Sequence, residues 1–240
     1  MDNNEPEKLY RYFPLGPDNK TWFDRVRDTL ENQRLYCPCP TQLNDPFDCA
    51  IKLANGDSDR EAGIQGRIDK QAGVVSFSAC GDHVLMWSHY ASHHRGICLE
   101  FDMPAWPPED REGYVLDKVR YTMSRPLPTL SPQEQAGAIT LEKIAFTKHK
   151  NWCYENEWRM VCSFKNRCDP YLGFPRAALT GVIFGLKMTD NDRCVMEQVI
   201  RDAGYQGLTI FEAREDHDKF CVKVCPVLLP ESDSPTMTVE

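Results

Sequence analysis

The chain has 240 residues, 41% hydrophobic and 27% charged, which allows one large domain or two small ones at roughly 100–200 residues each. A single body of this size buries about 70–75% of its unfolded surface and needs neither metal nor disulfide staples. The 28 Lys and Arg against 36 Asp and Glu leave a formal charge of −8, which argues against a surface built for bulk nucleic acid or anionic lipid. No apolar run approaches the roughly 18–20 residues of a membrane span. The start, Met1-Asp-Asn-Asn-Glu-Pro-Glu7, lacks the basic and then apolar order of a secretory signal. The expected location is therefore the cytoplasm, where the 11 cysteines are thiols. No CxxC pair exists, and Cys221 and Cys225 sit in an alternating strand pattern, so buried thiols are expected and no metal site.

In chain order, Leu9-Tyr-Arg-Tyr-Phe13 reads as an aromatic strand ended by Pro14 and Gly16. Trp22 to Asn32 has helical spacing, with Trp22, Val26, Thr29 and Leu30 on one side. Arg34 to Cys37 is a second strand, followed by the polar corner Gln42-Leu-Asn-Asp-Pro-Phe-Asp48. Residues 55–71 are rich in Gly and Asp and predict a loop with a short helix. Val74 to Ser78 is a strand, Val84 to Ser92 a short helix, and Gly96 to Asp102 a strand. Val115 to Tyr121 reads as one further strand between two proline-rich connections.

Ser131-Pro-Gln-Glu134 has the order of a capping box, predicting a helix from there to about His149. Glu157 to Phe164 alternates as a strand, as do Val182 to Phe184, Gly207 to Glu212 and Lys219 to Val227, with an amphipathic helix over Asp190 to Ala203. Strands outnumber long helices and do not alternate with them regularly, which predicts an α+β fold with a mixed or antiparallel sheet. The expected organisation is one domain over residues 9–228 between tails at 1–8 and 229–240.

Three segments combine dense polar and aromatic side chains. Arg11 in an aromatic strand either faces solvent or turns inward, where it demands a carboxylate or a ligand. In His83-Val-Leu-Met-Trp-Ser-His-Tyr90, continuing to His93 and His94, His89 and His93 are spaced to chelate a metal or simply to end a helix. In Lys148-His-Lys-Asn-Trp-Cys-Tyr-Glu-Asn-Glu-Trp-Arg159, strand alternation sends Glu155, Glu157 and Arg159 to one face. These three form either a surface ladder of little energetic weight or, given Trp152, Tyr154 and Trp158, a half-buried cluster. Asn44-Asp45-Pro46-Phe47 is a natural turn that also borders a site. GxGxxG, GxxxxGK[ST] and GxSxG are absent.

Leu9-Tyr-Arg-Tyr12, Leu43-Asn-Asp-Pro-Phe-Asp48, Ser76-Phe-Ser78, Leu85-Met-Trp-Ser-His-Tyr90, Gly96 to Asp102, Lys150, Trp152 and Tyr154-Glu-Asn-Glu-Trp-Arg159 together resemble the bacterial family catalogued as domain of unknown function 2971, over about residues 9–212. Their order also resembles, distantly, the ADP-ribosyltransferase fold, whose split sheet clamps nicotinamide adenine dinucleotide (NAD). That resemblance implies an NAD-consuming enzyme, a toxin or phage-defence effector, acting on an unknown acceptor. It places Arg11 on the first strand, Ser76, Ser78 or Tyr90 in the middle, and Glu157 on the late strand. By the same resemblance Arg11 takes a phosphate or the adenosine ribose, Glu157 the ribose 2′-hydroxyl and Glu155 the acceptor. Tyr90 or Trp87 stacks on nicotinamide, while Asn44, Asp45, Phe47, His89 and Arg159 border the substrate. The alternative is a non-enzymatic module that uses the same cleft to bind a ligand or a partner protein.

Overall fold

The computed structural model describes residues 5–15, 20–108, 113–127, 143–163 and 169–227. In chain order the elements are β1 (Lys8–Phe13), α1 (Lys20–Asn32), β2 (Arg34–Tyr36), α2 (Ser58–Gln71), β3 (Ala72–Ser78), α3 (Val84–Tyr90), β4 (Ile97–Asp102), β5 (Tyr114–Lys118), β6 (Arg120–Thr122), β7 (Thr147–His149), β8 (Glu157–Ser163), β9 (Tyr171–Gly173), β10 (Leu179–Phe184), α4 (Asp190–Asp202), β11 (Thr209–Glu215) and β12 (Val222–Pro226). Eight strands form one sheet in the order β12-β11-β10-β4-β1-β3-β8-β5. Every neighbouring pair in it is antiparallel except β10–β11, which runs parallel because α4 crosses between those strands. Two small ladders, β2–β9 and β6–β7, lie outside it. The fold is thus a mixed α and β body with a mostly antiparallel sheet, as the strand-rich pattern predicts.

Period-two alternation sorts the side chains onto the two sheet faces. Leu9, Phe13, Leu99, Phe101 and Val182 join Val26 and Leu30 of α1 and Met196, Val199 and Ile200 of α4 in the main core. Tyr10, Tyr12, Cys98 and Ile183 belong instead to the cluster around Trp87 and Ala91, at α3. The sheet is pinched where these layers meet. β1 and β4 share six registered pairs, whereas β1 and β3 share one, Tyr10 opposite Ser78.

Several expectations are corrected. Residues 55–71 contain the 14-residue helix α2, started by Asp57, whose carboxylate accepts from Arg60 N at 3.0 Å, and held by buried Ile64 and Ile68. The expected strand over 115–121 breaks at buried Val119, whose N–H donates to Glu157 O at 2.9 Å, so β5 and β6 enter different sheets. The capping box at Ser131–Glu134 lies outside the described residues. Residues 143–145 are helical, but 147–149 are β7, paired parallel with β6, and not the end of a helix.

The helix expected to reach Ser92 stops at Tyr90, and Ser92, His93 and His94 all adopt left-handed backbone. That turn brings the chain to Gly96, where a Cβ would stand 2.1 Å from Phe13 O. Gly96→Ala is expected to destabilise the protein by about 3 kcal/mol or to prevent folding. His93→Gly relieves a left-handed φ of 55° and is expected to stabilise by about 0.5–1 kcal/mol. Urea unfolding of both variants measures the contrast.

Candidate functional site

Past the Tyr10–Ser78 pair the strands β1 and β3 part, and other groups take over the backbone partners that a ladder would supply. Val74 N donates to Pro38 O at 2.9 Å, and the Arg11 guanidinium donates from Nη1 to Ser76 O at 2.7 Å. Tyr12 reaches back past the pair, its hydroxyl donating to Cys80 O at 2.8 Å. The gap is a cavity of about 230 Å³ walled by β1, β3, the turn at 42–48 and α3, with Lys148, Glu155 and Glu157 at its side.

Behind that wall lies a buried charge cluster. Glu157 and Arg159 are two apart on β8, so both point to the same face. Arg159 is fully buried and uses its planar fork on two carboxylates: Nε and Nη2 donate to Glu157 at 2.7 and 2.9 Å, Nη1 and Nη2 to Asp48 at 2.8 and 2.6 Å. Nη1 also donates to Ala145 O at 2.5 Å. Lys148 Nζ reaches Glu155 at 2.5 Å, Glu157 at 3.0 Å and Asp48 at 3.4 Å. The Tyr90 hydroxyl donates to Glu155 Oε1 and accepts from Asn44 Nδ2 at 3.2 Å. All five charged groups are buried, which rules out the surface-ladder reading of Glu155, Glu157 and Arg159.

Glu155 does not reach the cluster by strand alternation. It closes a 3-10 turn over Lys150–Glu155, and Asn156 then takes a left-handed φ of 44° before β8 begins. Ser78 Oγ donates to Glu155 O at 2.7 Å, and Ala79 N to Asn156 O at 3.0 Å, so the end of β3 fixes this corner.

The five groups carry three negative charges and two positive ones, and the imbalance falls on Glu155. Burial, and then the Glu157 charge, pushes the Glu155 carboxyl up to about 7 despite Lys148 and Tyr90. Burial would raise Glu157 as well, but Arg159 and Lys148 overcome it and hold Glu157 ionised well below the usual carboxylate range. Burial likewise opposes the Lys148 charge, while Glu157 and Glu155 keep its ammonium protonated above the usual lysine range. The Tyr90 hydroxyl is raised by burial and by Glu155, so it remains a donor. Burial lowers Arg11 to about 10, with the Glu157 charge acting the other way.

Of the residues singled out in the sequence, Arg11, Asn44, Ser76, Ser78, Tyr90, Glu155 and Glu157 line this one cleft. Ser76 stands close enough to Glu157 to help keep it ionised, whereas the Ser78 hydroxyl is spent on Glu155 O and Cys80 N. Arg159 stands behind the wall, holding carboxylates. Trp87 is corrected: it is fully buried, its indole N–H donates to Gly81 O at 2.9 Å and its ring meets Tyr12 edge to face, so it offers no face for stacking. His89 lies outside the cleft against Tyr154, and His93 is off the helix, so the spacing for a metal pair is lost. Among the described residues no three His, Cys, Asp or Glu side chains are grouped to hold a metal ion. Asp45 caps its own turn, accepting from Phe47 N at 2.9 Å, and Phe47 is 69% exposed; both border a neighbouring cavity of about 360 Å³. Asp48 and Lys148 are the members that sequence reasoning missed. Asp48 closes the Asn-Asp-Pro-Phe corner, and of Lys148 and Lys150 only the first is buried.

Residues 86–160 match the family model described as "Protein of unknown function (DUF2971)". The matched stretch contains Tyr90, Lys148, Glu155, Glu157 and Arg159, and it supports the family resemblance drawn from the motifs. Comparison with the curated proteins and with the solved structures gave no match. Among the described residues no helix is long and apolar enough to cross a membrane.

Removing one side of a buried charge pair strands the other, so Arg159→Leu is expected to cost about 3–5 kcal/mol of stability in urea unfolding. Glu155 generates a pH dependence. The folded state holds its proton more tightly than the unfolded chain does, so its contribution is complete below the ordinary value of 4.5 and is lost as pH rises through about 7. Glu157 acts in the opposite sense: its contribution is present above 4.5 and lost as pH falls. Glu155→Gln is therefore expected to gain stability relative to the parent between pH 5 and 8, by on the order of 2–3 kcal/mol.

Proposed function

We propose that the cleft between β1 and β3 binds NAD and cleaves its nicotinamide–ribose bond, an ADP-ribosyltransferase-like activity of the kind used by toxins and phage-defence effectors. The observation that carries this reading is the convergence of Arg11, Ser76, Tyr90 and the Glu155–Glu157 pair on the one place where the sheet parts. Breaking the glycosidic C–N bond sends its electron pair to the nicotinamide nitrogen and leaves an oxocarbenium-like ribose. Glu157, kept ionised by Arg159 and Lys148, supplies the negative charge that such a centre needs. The new bond forms between the ribose carbon and an acceptor nucleophile. Glu155, poised near neutral pH, receives the nucleophile's proton in its ionised form. Tyr90 holds Glu155 in place by hydrogen bond, and Arg11 offers its guanidinium to a phosphate.

One observation favours a second reading, a ligand- or protein-binding module with no chemistry. Both Glu157 oxygens are already bonded to Arg159 and Lys148, as in a purely structural tie.

The two readings separate in a nicotinamide-release assay with NAD and cell extract as the acceptor. Release by the parent protein, reduced about 10²–10⁴-fold in Glu157→Gln and in Glu155→Gln, is the expected result. Tyr90→Phe, which keeps the ring, is expected to lose about tenfold while retaining the parent's unfolding free energy to within about 1 kcal/mol. Absence of both NAD binding and release in the parent protein would favour the binding module.

A further inference from the structure

Arg11 serves two cavities. On the sheet face opposite the cleft, β1, α1 and the β2–β9 pair enclose a space of about 790 Å³. This space and the 230 Å³ cleft have Arg11, Tyr12, Pro38 and Gln42 in common, so they meet along those side chains. A ligand-sized cavity of this volume falls in the usual range of roughly 300–1,000 Å³.

Arg11 is under-used within the protein. Its guanidinium donates from Nη1 to Ser76 O, lies 5.5 Å from the Phe13 ring centre, and leaves a buried Nε–H with no hydrogen-bond partner. Among the described residues no carboxylate lies in salt-bridge range of it, although Glu157 is close enough to act on it through space. Arg11 is half-buried, and a guanidinium with a buried, unpartnered Nε–H and no paired anion is suited to a ligand that supplies one. The acids that border the cavity do not fill that role: Asp28 is held by Arg34 at 2.7 Å, and Asp24 faces Arg27 at 3.9 Å. Around the same space stand Trp22, Tyr36 and Tyr171: Arg25 covers one side of the Trp22 ring and Arg34 one side of Tyr171, while the exposed Tyr36 meets Tyr171 edge to face. Flat faces and an unmatched guanidinium are the complement of a heterocyclic base bearing phosphate.

We propose that this second cavity is a nucleotide subsite, in which the base of a nucleoside diphosphate packs against Trp22, Tyr36 and Tyr171 and the diphosphate turns to Arg11 where the two cavities meet. The proposal deepens the NAD reading by placing the half of the substrate that does not react. It rests on the cleft being a ligand site and does not require turnover.

The test is calorimetric titration of the intact chain with ADP, alongside NAD turnover. Saturable ADP binding is expected, weakened about 5–100-fold in Tyr36→Ala, as for loss of one base-stacking face, and at least tenfold in Arg11→Gln. Tyr36 is 41% exposed, so its truncation leaves the core closed and keeps the test sound should Arg11→Gln fold poorly. Adenosine, lacking phosphate, is expected to bind the parent and Arg11→Gln alike. ADP that fails to bind, or binds all three proteins equally, overturns the subsite. NAD turnover that is indifferent to ADP and to Tyr36→Ala overturns the subsite and leaves the cleft reading standing. ADP binding with these variant effects but no turnover keeps the subsite and removes the enzymatic reading.

Discussion

Arg159 is a fully buried cation that cannot shed its charge, and the architecture around the cleft follows from satisfying it. Its fork takes Glu157 from its own strand and Asp48 from a turn 111 residues earlier in the chain. Those carboxylates would overcharge the site alone, and Lys148 is drawn in to bridge them to Glu155. A buried network of this kind adds little net stability over an apolar core, but loss of Arg159 would leave its carboxylates buried and unpaired. What it secures is geometry. The turn at 42–48, the strand β7 and the strand β8 are locked to one another by charge, while β1 leans away toward β4.

That lean creates the cleft. β1 is tied along its length to β4, and β3 along its length to β8, but the two halves of the sheet share one registered pair. The gap exposes side chains that a continuous ladder would have hidden: Arg11 bridges it, Ser76 faces it, and Tyr90 enters from α3. Because the cluster behind has one more acid than base, Glu155, the carboxylate outside Arg159's fork, is the one that holds a proton most tightly. Structural necessity at Arg159 and a proton-holding group at Glu155 are thus two aspects of one charge balance.

Much of this was legible in the sequence. Alternation located β1, β3, β4 and β8, and helical spacing located α1 and α4, because each buries a regular apolar face. The motifs around Tyr90 and Glu155 to Arg159 marked the segments that meet at the cleft. The failures have physical causes. Gly63 and Gly66 disguised α2, whose few apolar residues still suffice to bury one face. Asn156 turns left-handed, so Glu155 reached the cluster by a route that period-two reasoning does not contain. Trp87 resembled a stacking platform because an amphipathic face does not reveal what covers it, and here Tyr12 does. Asp48 and Lys148 escaped notice because a charge pair across a hundred residues leaves no periodic trace; only the tertiary fold unites them.

The central claim is that the cluster divides its charge unequally between two carboxyls two residues apart. Carbon-13 NMR titration of the glutamate carboxyls, assigned with Glu155→Gln and Glu157→Gln, tests it directly. The account predicts that Glu155 titrates near 7 and that Glu157 stays ionised to well below the usual carboxylate range. Titration of both groups near the ordinary value of 4.5 would contradict it.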